Sequence, residues 1–315
     1  AVVYRLLTEH LEVEKIRVFS RDEHKQIEMM QSLSQYSDRL DFVIGDLRDS
    51  CRLRDAVRGM DAVIHAAAMR LVPMAELNPF EAVRTNVEGT RNLVQACEAA
   101  GVKKVLAISS DKAVSPTTAY GSTKFLMERI LLQADLAGKT RYSVVRYANI
   151  LSSRSSVAQL FLRQRAQGFL TVTDPNMTRF SITMKEGVDL VLYGRVHGLG
   201  GDLICPISPS YRVADMAEAI GPGLEHRVVG SRPGEKLHEA MFNLAEAPYV
   251  LKSNKYYVVL PPGGRLSMKA YSDQTGFQPQ LNGLEYESGG NPDYLTVSKL
   301  RSIVEHEMDV KIGKG

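Results

Sequence analysis

The sequence predicts an α/β protein: a doubly wound parallel sheet of the Rossmann kind with a smaller unit beside it. Three observations carry this expectation. Short β-rich apolar runs alternate with helical stretches through the first 150 residues. Those runs are continuously apolar rather than alternating, which suits strands covered on both faces. Beyond about residue 150 the pattern loosens into shorter elements, many loops and several prolines, as expected of a unit that closes over a ligand.

Taken in order, "KIRVFS" (15–20), "LDFVIGD" (40–46), "DAVIHAA" (61–67), "KKVLAISS" (103–110) and "YSVVRYANI" (142–150) read as strands. Helical spacing of apolar residues covers 22–36, 50–60, 78–101 and 119–138 between them. One piece of the pattern is missing. A dinucleotide-binding sheet begins with a central strand and a GxGxxG turn that holds pyrophosphate at a helix N-terminus, yet the first glycine here is Gly45. "AVVYRLLTEHL" reads as the helix that follows such a turn, so the expectation is that the sequence starts after the fingerprint.

With 315 residues and 44% hydrophobic content, the chain can fill a sizeable core. Its net charge of +3 is spread along the chain, so no nucleic-acid partner is expected, while a small anionic ligand stays open. Cys51, Cys97 and Cys205 have no CxxC or metal-ligand spacing and are expected to be core thiols in a reducing compartment. No apolar run approaches the roughly 18 to 20 residues of a membrane span. The opening stretch carries acids where a signal peptide is apolar, and the expected setting is cytoplasmic.

Chemistry concentrates in "AISSDKAVSPTTAYGSTK" (107–124). Tyr120 and Lys124 are four apart on an expected helix and share one face, so the ammonium could lower the phenol's pKa and make it a base. Of thirteen tyrosines, Tyr120 alone has Lys four residues on, and it follows a strand's carboxyl end, where open α/β sheets build their sites. Ser110, Asp111 and Lys112 stand just before it. Alone, "SDK" reads better as a charged loop, and the Tyr-Lys context changes that. His65 and His238 lack partners at metal-ligand spacing, so both are expected to be structural and no metal is expected.

Eight runs in order carry a resemblance to a known family: "VFSRDEHKQ", "GDLRD", "HAAAMRLVPMAELNP", "TNVEGTRN", "SSDKAVSPTTAYGSTK", "RYANILSSRSSV", "MTRFSIT" and "RPGEKLHE". The chain resembles the extended short-chain dehydrogenases/reductases, and among them the soluble C5-inverting UDP-N-acetylglucosamine 4,6-dehydratases. The membrane-anchored, C5-retaining dehydratases usually carry Met at the position of Tyr120.

The resemblance implies a catalytic set of Ser110, Asp111, Lys112, Tyr120 and Lys124. Tyr120 takes the C4 hydroxyl proton as a hydride leaves C4, Lys112 takes the C5 proton, and Asp111 protonates the departing C6 hydroxyl. The hydride then returns to C6. Ser20, Arg21 and Lys25 lean the cofactor towards NADP, with NAD the alternative because Asp22 is adjacent. Asp46 and Leu47 are expected to flank adenine, Ala66, Ala67 and Ala68 to pass beneath pyrophosphate, and Asn86 to sit behind the site. Asn149, Arg154, Arg179, Arg232 and Glu235 are expected to bind the nucleotide-sugar, UDP-N-acetylglucosamine or a related NDP-hexosamine. The dinucleotide domain is expected over 1–150 with a return at 178–207, and the nucleotide-sugar domain over 151–177 and 208–315. A homo-oligomer is implied as well.

The chain departs from the family pattern where Ala148, Ser152 and Ser155 replace glycines, Leu71 replaces His and Ile207 stands where Lys is common. Added Cβ atoms would crowd a pocket that needs positive φ or close backbone approach. Two other readings stay open: a nucleotide-sugar 4-epimerase, which has no need of the Asp111–Lys112 pair, and a non-catalytic dinucleotide-binding protein.

Overall fold

The computed structural model describes residues 1–153, 155–281 and 283–312. Through the first half, helices and strands alternate: α1 (Val2–Glu9), β1 (Ile16–Ser20), α2 (Glu23–Ser32), β2 (Leu40–Ile44), α3 (Ser50–Val57) and β3 (Ala62–His65). Then come α4 (Val72–Leu77), α5 (Pro79–Val83), α6 (Gly89–Ala100), β4 (Lys104–Ser110), α7 (Ala119–Ala137) and β5 (Arg141–Tyr147). The second half holds β6 (Asn149–Ile150), α8 (Val157–Arg165), β7 (Phe169–Val172), β8 (Thr178–Ile182), α9 (Met184–His197), β9 (Leu203–Pro206), β10 (Ser210–Arg212), α10 (Val213–Ile220), β11 (Glu225–Val228) and β12 (Ala240–Phe242). It closes with β13 (Val250–Lys252), β14 (Tyr256–Val259), α11 (Met268–Thr275), β15 (Gln278–Pro279), β16 (Tyr286–Glu287) and α12 (Val297–Met308).

The main sheet has seven strands in the order β15-β13-β14-β9-β5-β4-β3. From β3 to β9 it is parallel, with Val63 opposite Val105 and Val105 opposite Tyr142. Its last three strands are antiparallel. Residues 250–259 and 278–279, expected in the second unit, therefore hydrogen-bond into the main sheet. Strands β1 and β2 form a separate parallel pair. The pair and the main sheet share an apolar cover: Ile16 of β1 and Ile64 of β3 meet Leu6 of α1 and Leu192 of α9.

Val105, Ala107, Tyr142 and Val144 on β4 and β5 are wholly buried, and their side chains fill the main core with Leu131 of α7 and Leu93 of α6. Residues α8, β7, α10 and α12 enclose a second apolar core around Phe161, Met216 and Leu300. A buried Arg146 on β5 donates to Glu128 of α7 and to Glu246, each at 2.8 Å, tying the sheet to both its helical cover and the later chain. Leaving either carboxylate unpaired there would cost about 3–5 kcal/mol.

The expected helix over 78–101 runs without a gap from Pro79 to Ala100, but its turn Arg84–Glu88, between α5 and α6, is π-helical and carries the buried Asn86 inward. The cysteine expectation is corrected at one position: Cys97 and Cys205 are buried, but Cys51 lies exposed in the first turn of α3. No helix among the described residues is long and apolar enough to cross a membrane.

Candidate active site

Strand β4 delivers Ser110 to its carboxyl end, and the chain then tightens into a 3₁₀ turn, Asp111–Ala113. Ser110 Oγ accepts from the Lys112 amide at 3.3 Å and donates to Asp111 Oδ1 at 2.7 Å, so one hydroxyl fixes both neighbours. Lys112 Nζ reaches the same Asp111 oxygen at 3.1 Å. Asp111 is 1% exposed, and its Oδ2 is buried without a hydrogen-bond partner. Helix α7 starts at the Thr118 cap, whose hydroxyl accepts from Gly121 N, and sets Tyr120 in its first turn beside Ser110. Gly121 permits this approach: a Cβ there would lie 2.3 Å from the Lys112 carbonyl oxygen.

Burial raises the Tyr120 pKa, and Asp111 adds to the rise. Lys112, the hydrogen bond with Ser110, and Arg70 pull the other way. The expectation that Lys124 tunes Tyr120 is thereby corrected. Lys124 Nζ turns back to the Ile108 carbonyl at 2.5 Å and to Met127 Sδ at 3.2 Å, and the cation that most favours the phenolate is Lys112. Desolvation lowers the Lys124 pKa to about 8, with Glu128 opposing. Burial also works against the Lys112 ammonium, but Asp111 and Glu239 outweigh it and hold it charged well above the usual lysine range.

Asn86 braces the site from behind. Its Oδ1 accepts from Met69 N at 2.8 Å, and its Nδ2 donates to Met69 O and to Thr123 Oγ1. This joins the loop after β3 to α7 one turn beyond Tyr120. In that loop Ala66 and Ala67 are exposed and Ala68 half-buried, leaving small side chains and open backbone at a strand's carboxyl end. His65 is buried against Thr90, and desolvation lowers its pKa to about 3, so it is neutral and structural.

The residues expected around adenine lie after β1 and β2. Arg21 Nη1 is 3.3 Å from Asp46 Oδ2, and Asp46 also accepts from Arg48. Ser20 Oγ accepts from Asp22 N, Asp22 caps α2 through Lys25 N, and Lys25 Nζ pairs with the same carboxylate. Leu47 does not present its side chain to a ligand: it is buried in the main core, against Gly89. These residues suit an adenosine half with Arg21 and Lys25 exposed at its edge, and Tyr120 and Ala66 to Ala68 suit the other end of a dinucleotide.

On the sugar side, Arg179 of β8 is buried and spends Nη1 on the carbonyls of Thr178 and Leu237, while Nη2 faces Glu235 at 3.4 Å. Glu235 also accepts from the Arg232 amide, and the Arg232 side chain is exposed. Asn149 hydrogen-bonds the buried Tyr211, whose phenol senses Lys112, Arg179 and Asp111. Arg154 lies outside the described residues. The segment 232–239 is fastened to the loop between β4 and α7, with Lys236 Nζ donating to Val114 O at 2.5 Å and Thr117 Oγ1 to Gly234 O at 2.7 Å.

Ala148, Ser152 and Ser155 have negative φ; the non-glycine residues with positive φ among those described are Ser115 and Asp309. The two serines make new bonds instead, Ser152 to Glu307 and Ser155 from Arg70. Sequence reasoning missed Gly121, Arg70, Tyr211 and Glu239. Glu239 stood inside the quoted run "RPGEKLHE", and that was its one signal.

The family described as "Polysaccharide biosynthesis protein" matches residues 1–261. The chain belongs to this family. A protein of Campylobacter jejuni named UDP-N-acetylglucosamine 4,6-dehydratase (inverting) is 39% identical over 318 residues, covering 96% of this chain and 92% of its own. A Rickettsia akari protein named UDP-glucose 4-epimerase is 39% identical over 281 residues, covering 86% of this chain and 82% of its own. The X-ray structure of Pen from Bacillus thuringiensis superposes with a TM-score of 0.87 at 29% identity, covering 98% of this chain and 95% of that one. A dTDP-glucose 4,6-dehydratase from Streptomyces venezuelae, with NAD bound, shares the fold at a TM-score of 0.67 and 17% identity, covering 98% of this chain and 94% of that one. The resemblance to extended short-chain dehydrogenases/reductases holds over nearly the whole chain, as does the α/β fold with a parallel sheet.

Proposed function

We propose that this chain dehydrates UDP-N-acetylglucosamine, or a closely related NDP-hexosamine, to a UDP-4-keto-6-deoxyhexosamine with inversion at C5. The observation that carries this reading is the Asp111–Lys112 ion pair, 3.1 Å across, set beside Tyr120 and Ser110. Elimination of water across C5 and C6 needs a base and an acid side by side, and oxidation at C4 alone does not.

A bound dinucleotide supplies the hydride acceptor and, later, the hydride donor. Tyr120 takes the C4 hydroxyl proton, helped by Ser110 and by the positive charge of Lys112. Transfer of one proton from Lys112 to Asp111 turns the resting ion pair into an amine and a carboxylic acid without exchange with solvent. Lys112 then removes the C5 proton and passes it to solvent, Asp111 protonates the C6 hydroxyl as it leaves as water, and a solvent-derived proton delivered to the opposite face of C5 inverts that centre.

NADP is the proposed cofactor in preference to NAD. Asp22, the carboxylate that could hold a ribose 2′-hydroxyl, is occupied capping α2 and pairing Lys25, while Arg21 and Lys25 offer charge to a 2′-phosphate. For the nucleotide-sugar, the exposed Arg232 is the proposed diphosphate clamp, Glu235 and Asn149 orient sugar hydroxyls, and Arg179 holds the surrounding backbone. The second apolar core supports a nucleotide-sugar unit made of 151–177 and those later stretches that stay out of the main sheet. The Rickettsia relatives favour a second reading, C4 epimerisation of a UDP-sugar. Incubation with UDP-N-acetylglucosamine and NADP separates the two: dehydration gives a product lighter by one water, and epimerisation leaves the mass unchanged.

A further inference from the structure

Glu239 is a buried carboxylate to which the roles above assign nothing. It is the residue before β12, 3% exposed, and its Oε1 lies 3.5 Å from Lys112 Nζ. Its Oε2 has no hydrogen-bond partner; the Lys236 ammonium stands 3.8 Å away but donates to Val114 O. The backbone is fixed on both sides, since Glu239 N donates to Ser288 Oγ at 3.0 Å and Ser288 N donates back to Glu239 O at 2.8 Å. A strand start held this firmly is a poor place for an idle charge: an ionised carboxylate out of water is retained where it has a cation to serve.

The charged and titratable groups facing Lys112 are Asp111 from its own turn, Glu239 from the start of β12, Arg179 from β8, and the phenols of Tyr120 and Tyr211. Two carboxylates, Asp111 and Glu239, reach the Lys112 ammonium, at 3.1 and 3.5 Å. Asp111 is engaged as the acid for the C6 hydroxyl, so a second anion is needed to keep Lys112 in place while Asp111 is neutral. We infer that Glu239 is the positioning residue of the elimination step, holding Lys112 Nζ over the reacting carbon and setting the pH at which Lys112 gives up its proton. The inference rests on the reading of Lys112 as the base at C5.

The test is the pH profile of dehydration in full-length protein supplied with NADP and UDP-N-acetylglucosamine. Glu239→Gln keeps the shape and removes the charge. An opposite charge at this range is worth about one pH unit or more, so the limb governed by Lys112 moves to lower pH by about that amount. C4 oxidation, to which Lys112 contributes only its charge beside Tyr120, falls several-fold less than elimination does, and KM changes less than about twofold. Glu239→Asp restores part of the wild-type profile. A Glu239→Gln profile that superimposes on the wild type, or a loss shared equally by C4 oxidation and elimination, overturns the inference. Lys112→Ala is run alongside, with exchange of the C5 proton into D₂O as the readout. If that variant still exchanges C5, the reading of Lys112 itself fails. If it loses exchange while the Glu239→Gln limb stays put, that reading stands and the role of Glu239 falls.

Discussion

Lys112 Nζ sits 3.1 Å from Oδ1 of Asp111, its neighbour in the chain, and the carboxylate beneath it is almost wholly buried. Adjacent residues on a strand point to opposite faces. The 3₁₀ turn after β4 brings these two side chains together, and Ser110 pins that turn through its hydroxyl.

Replacing Lys112 by Ala should abolish water loss while leaving C4 oxidation measurable. General-base catalysis contributes on the order of 10²–10⁴ in rate, and the loss should fall in that range. The check is product mass together with the absorbance of reduced dinucleotide after a single turnover. Dehydration at the wild-type rate would remove Lys112 from the mechanism.

Tyr120→Phe should suppress the first hydride transfer itself, because the C4 hydroxyl then has no base. No reduced dinucleotide should accumulate on mixing with the nucleotide-sugar. A normal burst of reduction in this variant would move the C4 base elsewhere, with Ser110 or Lys112 the next groups to examine.

Gly121→Ala probes the packing of α7 on the turn after β4. The added methyl meets the Lys112 carbonyl at 2.3 Å, so helix or turn has to shift. Overpacking of this kind costs roughly 1–3 kcal/mol, and the displaced turn should lower kcat more than it raises KM. Denaturant unfolding and steady-state kinetics together check both halves, and an unchanged enzyme would contradict the contact.

Lys124→Met tests the pH linkage of a buried amine. Burial brings the folded pKa down to about 8, from 10.5, so between those values the unfolded chain holds more protons and stability rises with pH. Below that window the full cost is present, about 3 kcal/mol at 1.36 kcal/mol per unit. The variant should therefore be more stable than wild type near about pH 7 by up to that amount, with the gap closing towards about pH 10. Urea unfolding at the two pH values measures the gap, and a constant difference would contradict the assignment.

Much of this was legible in the sequence. The five early strands appear within a few residues of the apolar runs that announced them; burial is nearly continuous along β4 and β5, while β1 to β3 are only partly covered. Ser110, Asp111, Lys112 and Tyr120 were legible because the turn that joins them is local. The π turn at Arg84–Glu88 was not, since a helical period continues through it and what sets it apart is the long-range bond from Asn86 Nδ2 to Met69 O. Strands β13 to β15 were missed because each is two to four residues long and is defined by its partner. Lys124 misled for a related reason: spacing fixes the face on which a lysine starts, but its long stem ended on the Ile108 carbonyl. Glu239 and Tyr211 come from distant chain segments, and only folding brings them to Lys112.

The most direct test of elimination across C5 and C6 is to run the reaction in D₂O with UDP-N-acetylglucosamine and NADP and read the product by mass and proton NMR. The account predicts loss of one water, a new C6 methyl signal, one deuterium at C5, and C5 couplings of the inverted sugar. A product that retains its mass with C4 inverted, or one that loses water with C5 still carrying its original proton, would contradict it.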